Sequence, residues 1–90
     1  MAIRYRVYTE HKNKRDLMVY LNSTLESYTI YYVDGYWRGN AEGSLVIEYI
    51  SDTLSVVSRG KIFDTAHWIK KYNEQQSVLI TQEEVTAVFV

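Results

Sequence analysis

The first residues of the chain alternate between apolar and polar side chains. Residues 2–9 place apolar side chains on one side and two arginines with a tyrosine on the other: Ile3, Tyr5 and Val7 against Arg4, Arg6 and Tyr8. Side chains of a strand point alternately to its two faces, so this pattern predicts a β-strand with one buried face and a basic outer face.

A polar loop follows, and then apolar residues recur at helical spacing. Asn13 has the composition of a helix cap, and Asp16 stands at the position of a capping-box partner. The pattern predicts an amphipathic helix of about three turns whose inner face is formed by Leu17, Met18, Leu21 and Leu25.

Two β-rich runs come next. Residues 28–37 consist mostly of tyrosine, isoleucine, valine and threonine, which are typical of strands. Residues 44–50 form the second run, with Leu45, Ile47 and Tyr49 on one side. Residues 38–43 have the composition of a turn, and Asp34 with Gly35 gives a second turn or bulge signal inside the first run. We therefore predict a β-hairpin whose first strand is bent near Gly35.

The helical period returns before Asn73. Residues 51–53 offer a cap, while Gly60 is a poor helix residue and leaves residues 54–59 as either helix or a separate turn. The apolar arc of this second helix consists of Ile62, Ala66, Ile69 and Tyr72, with Phe63 at its border. Residues 76–81 and 85–90 are two further apolar runs, joined either by a turn at residues 82–84 or as one long bent strand.

The order strand, helix, strand, strand, helix, strand predicts an α+β domain. It matches the ferredoxin-like, or split β-α-β, arrangement of an antiparallel sheet with two helices on one face. Residues 85–90 would add a fifth strand, or would pair with a partner chain in a different α+β sandwich. The predicted core consists of Ile3, Tyr5, Val7, Leu17, Leu21, Leu25, Leu45, Ile47, Ile62, Ala66 and Ile69.

Composition narrows the class of protein. A chain of 90 residues with 47% hydrophobic and 23% charged residues predicts a single folded domain over residues 1–90. The formal net charge of −1 gives no bulk attraction to nucleic acid or to an anionic membrane. No apolar run has the length of a membrane span, and the first residues do not resemble a signal peptide. We therefore expect a cytoplasmic protein, in the host cytoplasm if a phage encodes it.

Catalytic motifs are not recognisable in the chain. His11 lies among charged loop residues and His67 on the polar side of the second helix, which favours solvated surface positions for both. Without cysteine and without paired histidines, the sequence predicts no metal site. It contains no phosphate-binding glycine loop and no nucleophile elbow. These observations predict a protein that is not an enzyme and has no cofactor.

Aromatic and charged residues near the hairpin turn give the candidate site. The chain has nine tyrosines, most of them in the hairpin, and tyrosines in a strand more often pack than bind a ligand. The alternative is a recognition surface on which rings stack against a planar ligand and arginines, with Arg4 and Arg6 among them, contact its anionic groups. The candidate ligand-binding residues are Tyr36, Trp37, Arg38, Glu42 and Ser44.

The same region carries a family resemblance. Gly35-Tyr36-Trp37, then Glu42 and Ser44, then a Gln-x-Ser-Val-Leu element ending at Leu79 are the residues that carry it. With these elements, residues 33–79 resemble a family of short bacterial and phage proteins. Residues 73–76, before Ser77, run one residue longer than the family pattern. The resemblance implies the fold above and a phage origin, and it implies no particular activity.

These observations predict a non-catalytic phage-type binding protein. It would counter host defence by sequestering a nucleotide-derived small molecule or by occupying a host protein. The alternatives are a structural or regulatory protein-interaction domain and a weak single-stranded nucleic-acid binder, although the charge disfavours nucleic acid. Because residues 85–90 form an apolar β-rich run without charge, we also expect a homo-oligomer, either a dimer or a dimer of dimers.

Overall fold

The computed structural model describes residues 1–52 and 55–90. Within them the chain forms four strands and two helices in the predicted order. The elements are β1 (Ala2–Glu10), α1 (Lys14–Thr24), β2 (Thr29–Trp37), β3 (Asn40–Ser51), α2 (Val56–Tyr72) and β4 (Leu79–Val85).

The strands form one antiparallel sheet in the order β2-β3-β1-β4. Both helices pack on the same face of it, since residues of α1 and α2 join one apolar cluster with β1 and β3. This is the ferredoxin-like α+β fold, so the predicted fold class is confirmed.

The core lies between the helices and the sheet. It consists of the eleven residues predicted from the two periodicities, all of them buried. Tyr5 and Val7 on β1 and Ile47 on β3 have no exposed surface, and neither does Leu21 on α1. Period-two and helical spacing therefore predicted these eleven positions correctly. The same spacing also placed Met18 and Tyr72 on the inner faces of the helices, where the prediction is wrong, since they are 37% and 47% exposed.

The hairpin is tighter than predicted. β2 pairs with β3 without interruption, Gly35 opposite Glu42 and Trp37 opposite Asn40, so no bend occurs near Gly35. The turn is Arg38-Gly39 alone, with φ of 49° and 80°. Positive φ at both central residues is the type I′ geometry, whose twist matches that of the flanking strands. β3 therefore begins at Asn40 rather than at residue 44.

The caps of the helices also differ from the prediction. Asn13 has the left-handed conformation and makes no side-chain cap; its amide instead donates to Asn73 Oδ1 at 2.9 Å. Helix α2 is capped by Ser55, whose hydroxyl accepts from the Ser58 amide at 3.3 Å. The cap predicted at residues 51–53 falls partly outside the described residues, as does the start of the segment 54–59. Gly60 lies inside α2.

The end of the chain forms one strand and not two. β4 runs through residues 82–84, for which the sequence allowed a turn or part of a bent strand, and its pairing with β1 extends from Leu79 opposite Tyr8 to Val85 opposite Ala2. Beyond Val85 the chain has passed the first residue of β1. Residues 86–90 therefore have no strand to pair with and form no fifth strand.

An aromatic stack ties the two helices together on their outer side. Trp68 lies between Tyr20 and Tyr72, with ring centroids 4.5 Å and 4.6 Å apart. The Tyr72 hydroxyl donates to Asp16 Oδ2 at 2.7 Å, which raises the pKa of Tyr72 above its ordinary value. Within the described chain, neither helix has the length and apolar character needed to cross a membrane.

Candidate functional site

The face of the sheet opposite the helices, here called the open face, carries a second pattern of side chains. Residues that pair across antiparallel strands project to the same side, so the register arranges this face in rows. Starting at the row of Arg6 and moving toward the hairpin, four of these rows are Thr81-Arg6-Glu48-Thr29, Leu79-Tyr8-Val46-Tyr31, Glu10-Ser44-Val33 and Glu42-Gly35. The open face thus runs from a charged row, through an apolar and aromatic row, to an acidic end.

A cavity of about 780 Å³ lies on this face, here called the open-face cavity. This volume is in the range of small-molecule sites. Its floor includes Val46, which is only 2% exposed although no helix covers that side. Tyr8 and Tyr31 flank Val46 in the same row, and Trp37 borders the cavity at the hairpin end. Three aromatic side chains therefore line one surface over an apolar floor.

Four of the five residues predicted for the site line this cavity: Tyr36, Trp37, Glu42 and Ser44. Trp37 and Tyr36 are 65% and 72% exposed, and alternation along β2 directs them to opposite faces. Arg38 does not line it. Arg38 occupies the first turn position, where its guanidinium lies 5.5 Å from the centre of the Trp37 ring.

Gly35 makes room for a polar group in the cavity wall. A Cβ atom at Gly35 would lie 3.0 Å from Ser44 Oγ, closer than side chains normally approach. The glycine therefore leaves the Ser44 hydroxyl its position beside the open-face cavity. The reason for glycine here is close approach, in contrast to Gly39, whose φ of 80° requires it.

A charge network occupies the far end of the open face. Arg6 Nε donates to Glu48 Oε1 at 3.0 Å, and Arg4 forms an ion pair with Glu83. Arg4 Nε lies 3.8 Å from the same Glu48 oxygen. The hydrogen bond with Glu48 raises the pKa of Arg6, and the one from Arg4 lowers the pKa of Glu83. Of the two arginines, Arg6 lines the cavity.

The loop between α2 and β4 closes the cavity on a third side. Gln75 Oε1 accepts from Thr9 Oγ1 at 2.6 Å and from Asn73 Nδ2 at 3.0 Å. Lys12 Nζ donates to the Asn73 carbonyl at 2.8 Å, so the loop is tied to the end of β1. Gln75 and Ser77 line the open-face cavity from this loop.

The three short elements that carry the family resemblance meet at this cavity. Residues from 35–37, from the pair Glu42 and Ser44, and from 75–79 all line it, although the third element is far from the first two in the chain. The site prediction missed the lining residues contributed by β1, β4 and the loop: Tyr8, Glu10, Gln75, Ser77 and Leu79. The alternation of β1 was a usable signal, since it placed Arg6 and Tyr8 on the outer face.

The histidines lie apart from the cavity. The His11 ring centroid is 4.9 Å from that of Tyr32, and Lys14 Nζ lies 4.4 Å from the centre of the same tyrosine ring. His67 is exposed on α2. Among residues 1–52 and 55–90, no group of three or more His, Asp or Glu side chains is placed to hold a metal ion.

Comparison with known proteins identifies the fold. No protein-family model matches the chain, and neither does any curated protein. A phage SAM lyase in complex with S-methyl-5'-thioadenosine aligns over 92% of this chain and 81% of that chain, with a TM-score of 0.73 and 15% identity. A DUF3240-family protein from Shewanella baltica aligns over 99% and 94%, with a TM-score of 0.74 and 9% identity.

A nitrogen regulatory PII-like protein, CPII from Thiomonas intermedia, has the same fold. It is bound to ADP, AMP and bicarbonate and aligns over 99% of this chain and 94% of that chain, with a TM-score of 0.64 and 11% identity. At these identities the likeness is one of fold. Two of the three structures hold adenosine-containing small molecules, so this fold supports the binding of such ligands.

The prediction that the chain is not an enzyme is wrong. The phage SAM lyase is an enzyme, and it shares the fold over nearly the whole chain. The prediction relied on the absence of nucleophile, metal and phosphate-loop motifs, which mark particular reaction classes. A substrate that already carries a good leaving group can react without a nucleophile, a metal or a phosphate loop. The absence of these motifs therefore does not argue against catalysis.

Proposed function

We propose that this protein binds an adenosyl sulfonium, S-adenosylmethionine or a close relative, in the open-face cavity and cleaves it as a SAM lyase. The observation that carries the proposal is the line of Tyr8, Tyr31 and Trp37 along one cavity of suitable volume. The shared fold with a phage SAM lyase that holds S-methyl-5'-thioadenosine supports the choice of ligand.

The hairpin end of the cavity suits the adenosine part of such a ligand. Trp37 offers a largely exposed ring for stacking with the adenine base, which is a planar and apolar surface. Glu42 and Ser44, on the neighbouring strand, supply oxygen atoms that can accept hydrogen bonds from ribose hydroxyls.

The middle row suits the sulfonium. A cation is attracted to the faces of aromatic rings, and Tyr8 and Tyr31 flank Val46 in that row. The buried Val46 keeps the floor apolar, which strengthens electrostatic interactions above it. The same surroundings favour loss of the positive charge, since a neutral thioether is more stable there than a cation.

The reaction needs no cofactor. Cleavage of the bond between the sulfur and the Cγ of the amino-acid chain leaves the electron pair on sulfur and gives neutral S-methyl-5'-thioadenosine. The Cγ atom completes its bonding in one of two ways: it closes a ring with the substrate's own carboxylate, or the chain loses a Cβ proton to a carboxylate base such as Glu10 and forms a double bond. Both routes give amino-acid products of the same composition, so no second substrate is consumed.

Incubation of the purified protein with S-adenosylmethionine tests the proposal. We expect S-methyl-5'-thioadenosine to accumulate with time and enzyme concentration, measured by liquid chromatography and mass spectrometry, with NMR distinguishing the two amino-acid products. Trp37→Ala should lose most of this activity, and Trp68→Phe, which changes the tryptophan of the helix stack, should retain it. Tight binding of the ligand without any product would contradict the lyase proposal.

In biological terms, we propose that depletion of an adenosine-derived metabolite, and not its sequestration, is how a phage-type protein of this kind would act against its host. Mass spectrometry of adenosyl metabolites in cells that express the wild-type chain or Trp37→Ala tests this. An unchanged S-adenosylmethionine level with the wild type would contradict it.

We also propose that the chain self-associates, as the apolar run at its end suggested. Val88, Phe89 and Val90 are largely exposed, and residues 86–90 pair with no strand of their own chain. Association would cover these side chains. Light scattering should give a mass well above the 10.6 kDa of one chain, and deletion of residues 86–90 should reduce it. A wild-type mass of a single chain would contradict the proposal.

A further inference from the structure

Arg6 is the one cationic side chain among the described residues that line the open-face cavity. It lies at the end of the cavity away from the hairpin, in the row that also holds Glu48. Its side chain is about one third exposed, so a ligand in the cavity can reach it.

The Arg6 guanidinium is hydrogen-bonded through Nε and makes only a longer ion pair through Nη1. Arg6 Nε donates to Glu48 Oε1 at 3.0 Å, and this contact fixes the plane of the group. Arg6 Nη1 lies 3.9 Å from Glu83 Oε1, which is beyond hydrogen-bond distance. In the part of the chain that the structure describes, neither Nη1 nor Nη2 has a hydrogen-bond acceptor. An edge with two donors is therefore left for a planar anion, which arginine binds in a bidentate manner.

We propose that Arg6 binds the α-carboxylate of the ligand's amino-acid part and so makes the site selective for ligands that carry it. This inference rests on the function proposed above. It assigns the end of the cavity opposite the adenine to a specific group of the ligand.

The spacing along β3 agrees with such an arrangement. Glu42 at the adenosine end and Glu48 beside Arg6 are six residues apart, a distance of about 20 Å along a strand. Glu42 and Arg6 both line the open-face cavity. A ligand that contacts both must be extended and must carry its base and its carboxylate at opposite ends.

The consequence is discrimination between substrate and product. S-methyl-5'-thioadenosine has lost the amino-acid chain and its carboxylate, so it cannot contact Arg6. We therefore expect the product to bind more weakly than the substrate, by the contribution of one bidentate charged contact.

Calorimetry with uncleavable ligands tests the inference. S-adenosylhomocysteine and its decarboxylated analogue differ in the carboxylate alone, and both are thioethers without the sulfonium leaving group. We expect the wild type to bind the first at least about tenfold more tightly than the second. In Arg6→Gln this ratio should fall to near one, while the affinity for S-methyl-5'-thioadenosine stays within about twofold.

Three further variants sharpen the measurement. Arg59→Gln removes an exposed arginine of α2 that lies over Phe63, and it should leave the ratio unchanged. Glu48→Gln weakens the support of Arg6, and should lower the ratio without abolishing it. Arg6→Lys keeps the charge but loses the two-donor edge, and it should give an intermediate ratio; it replaces Arg6→Gln if that variant fails to fold.

The outcomes separate this inference from the proposed function. If Arg6→Gln retains the wild-type ratio, or the wild type shows no preference, the carboxylate assignment is overturned while adenosyl binding stands. If ADP binds more tightly than S-adenosylhomocysteine, and if ADP binding is lost in Arg6→Gln, then Arg6 binds a phosphate and the inference is also overturned. If the wild type binds none of the adenosyl ligands, the proposed function fails and the inference fails with it.

Discussion

The two faces of the sheet differ in what they contribute. The face under the helices is apolar, and residues such as Tyr5, Leu45 and Ile47 are completely buried there. The open face carries arginines, glutamates and aromatic rings around a cavity, and in its central row only Val46 is comparably buried. Burial of apolar surface is what stabilises a domain of this size. The difference indicates that the covered face maintains the fold, while most side chains of the open face remain accessible to a ligand.

The largest effect is expected from the covered face. Leu21→Ala removes a completely buried side chain of α1 and should lower the free energy of unfolding by about 2–5 kcal/mol. Met18→Ala, on the same helix but over one third exposed, is the matched control and should cost much less. Chemical denaturation measures both. Equal effects of the two substitutions would show that the helix presents a different face to the sheet.

The next effect concerns binding and not stability. Trp37→Ala on the open face removes a largely exposed ring, so the melting temperature should change little. Loss of stacking should weaken S-adenosylhomocysteine binding by a factor that corresponds to about 1–3 kcal/mol. Calorimetry and thermal unfolding of one sample measure the two quantities. A loss of stability as large as that of Leu21→Ala would make Trp37 part of the fold and would remove the contrast between the faces.

Two glycines allow the same substitution to be compared on each side. Gly60 lies inside α2, and a methyl group added there would meet no atom within 4 Å, so Gly60→Ala should stabilise the protein by about 0.5–1 kcal/mol. Gly35→Ala should instead displace the Ser44 hydroxyl and weaken ligand binding severalfold. Thermal unfolding and calorimetry measure the pair. Unchanged binding in Gly35→Ala would exclude Ser44 from the ligand contacts.

The smallest effect is a pH dependence of the charged row. The hydrogen bond from Arg4 lowers the pKa of Glu83 in the folded protein. A lowered pKa adds stability above the unfolded-state pKa, and that stability is lost as the pH falls through the folded-state value. Glu83→Gln should therefore be less stable than wild type at pH 7, with the gap closing in acid. Because Glu83 is half exposed, the gap should be small and should shrink with added salt.

The control for this experiment is Glu84→Gln, the next residue of β4, which pairs opposite Ile3. Its melting temperature should follow that of wild type more closely over the same pH range. A gap that grows in acid would contradict the assigned direction of the Glu83 pKa shift.

Sequence patterns were sufficient for the fold because each element buries one face. The eleven core positions follow from alternation in the strands and from helical spacing in the helices, and the identity of the residues between them does not matter. The hairpin turn was predicted at residues 38–43, which is too long, because Glu42 and Gly43 have turn composition, whereas the pairing of β2 with β3 takes both into a strand. The turn itself consists of the first two residues of that segment, and Arg38 is an unusual residue for its positive φ, so composition did not show how short the turn is.

The site could be predicted only where its residues are close together in the sequence. Trp37, Glu42 and Ser44 are close in sequence, and they do line the cavity. Leu79 and Tyr8 also line it, but they become neighbours through the pairing of β1 with β4, which no short motif encodes. The expectation of a protein without catalysis failed for a different reason: motifs report how some enzymes activate a substrate, and the sulfonium that we propose as the substrate would already be activated.

The position of β1 in the sheet has a consequence for how the protein folds. β1 is an inner strand, and its two neighbours are β3 and β4, so that Ala2 is paired with Val85. During synthesis the first strand must therefore wait for the last one before the sheet can be completed. Contacts between such distant residues carry a large loop-closure cost, which slows folding relative to helical proteins of similar length. We expect the half-made chain to expose β1 on the ribosome, and stable structure to form only after Val85 has left the exit tunnel.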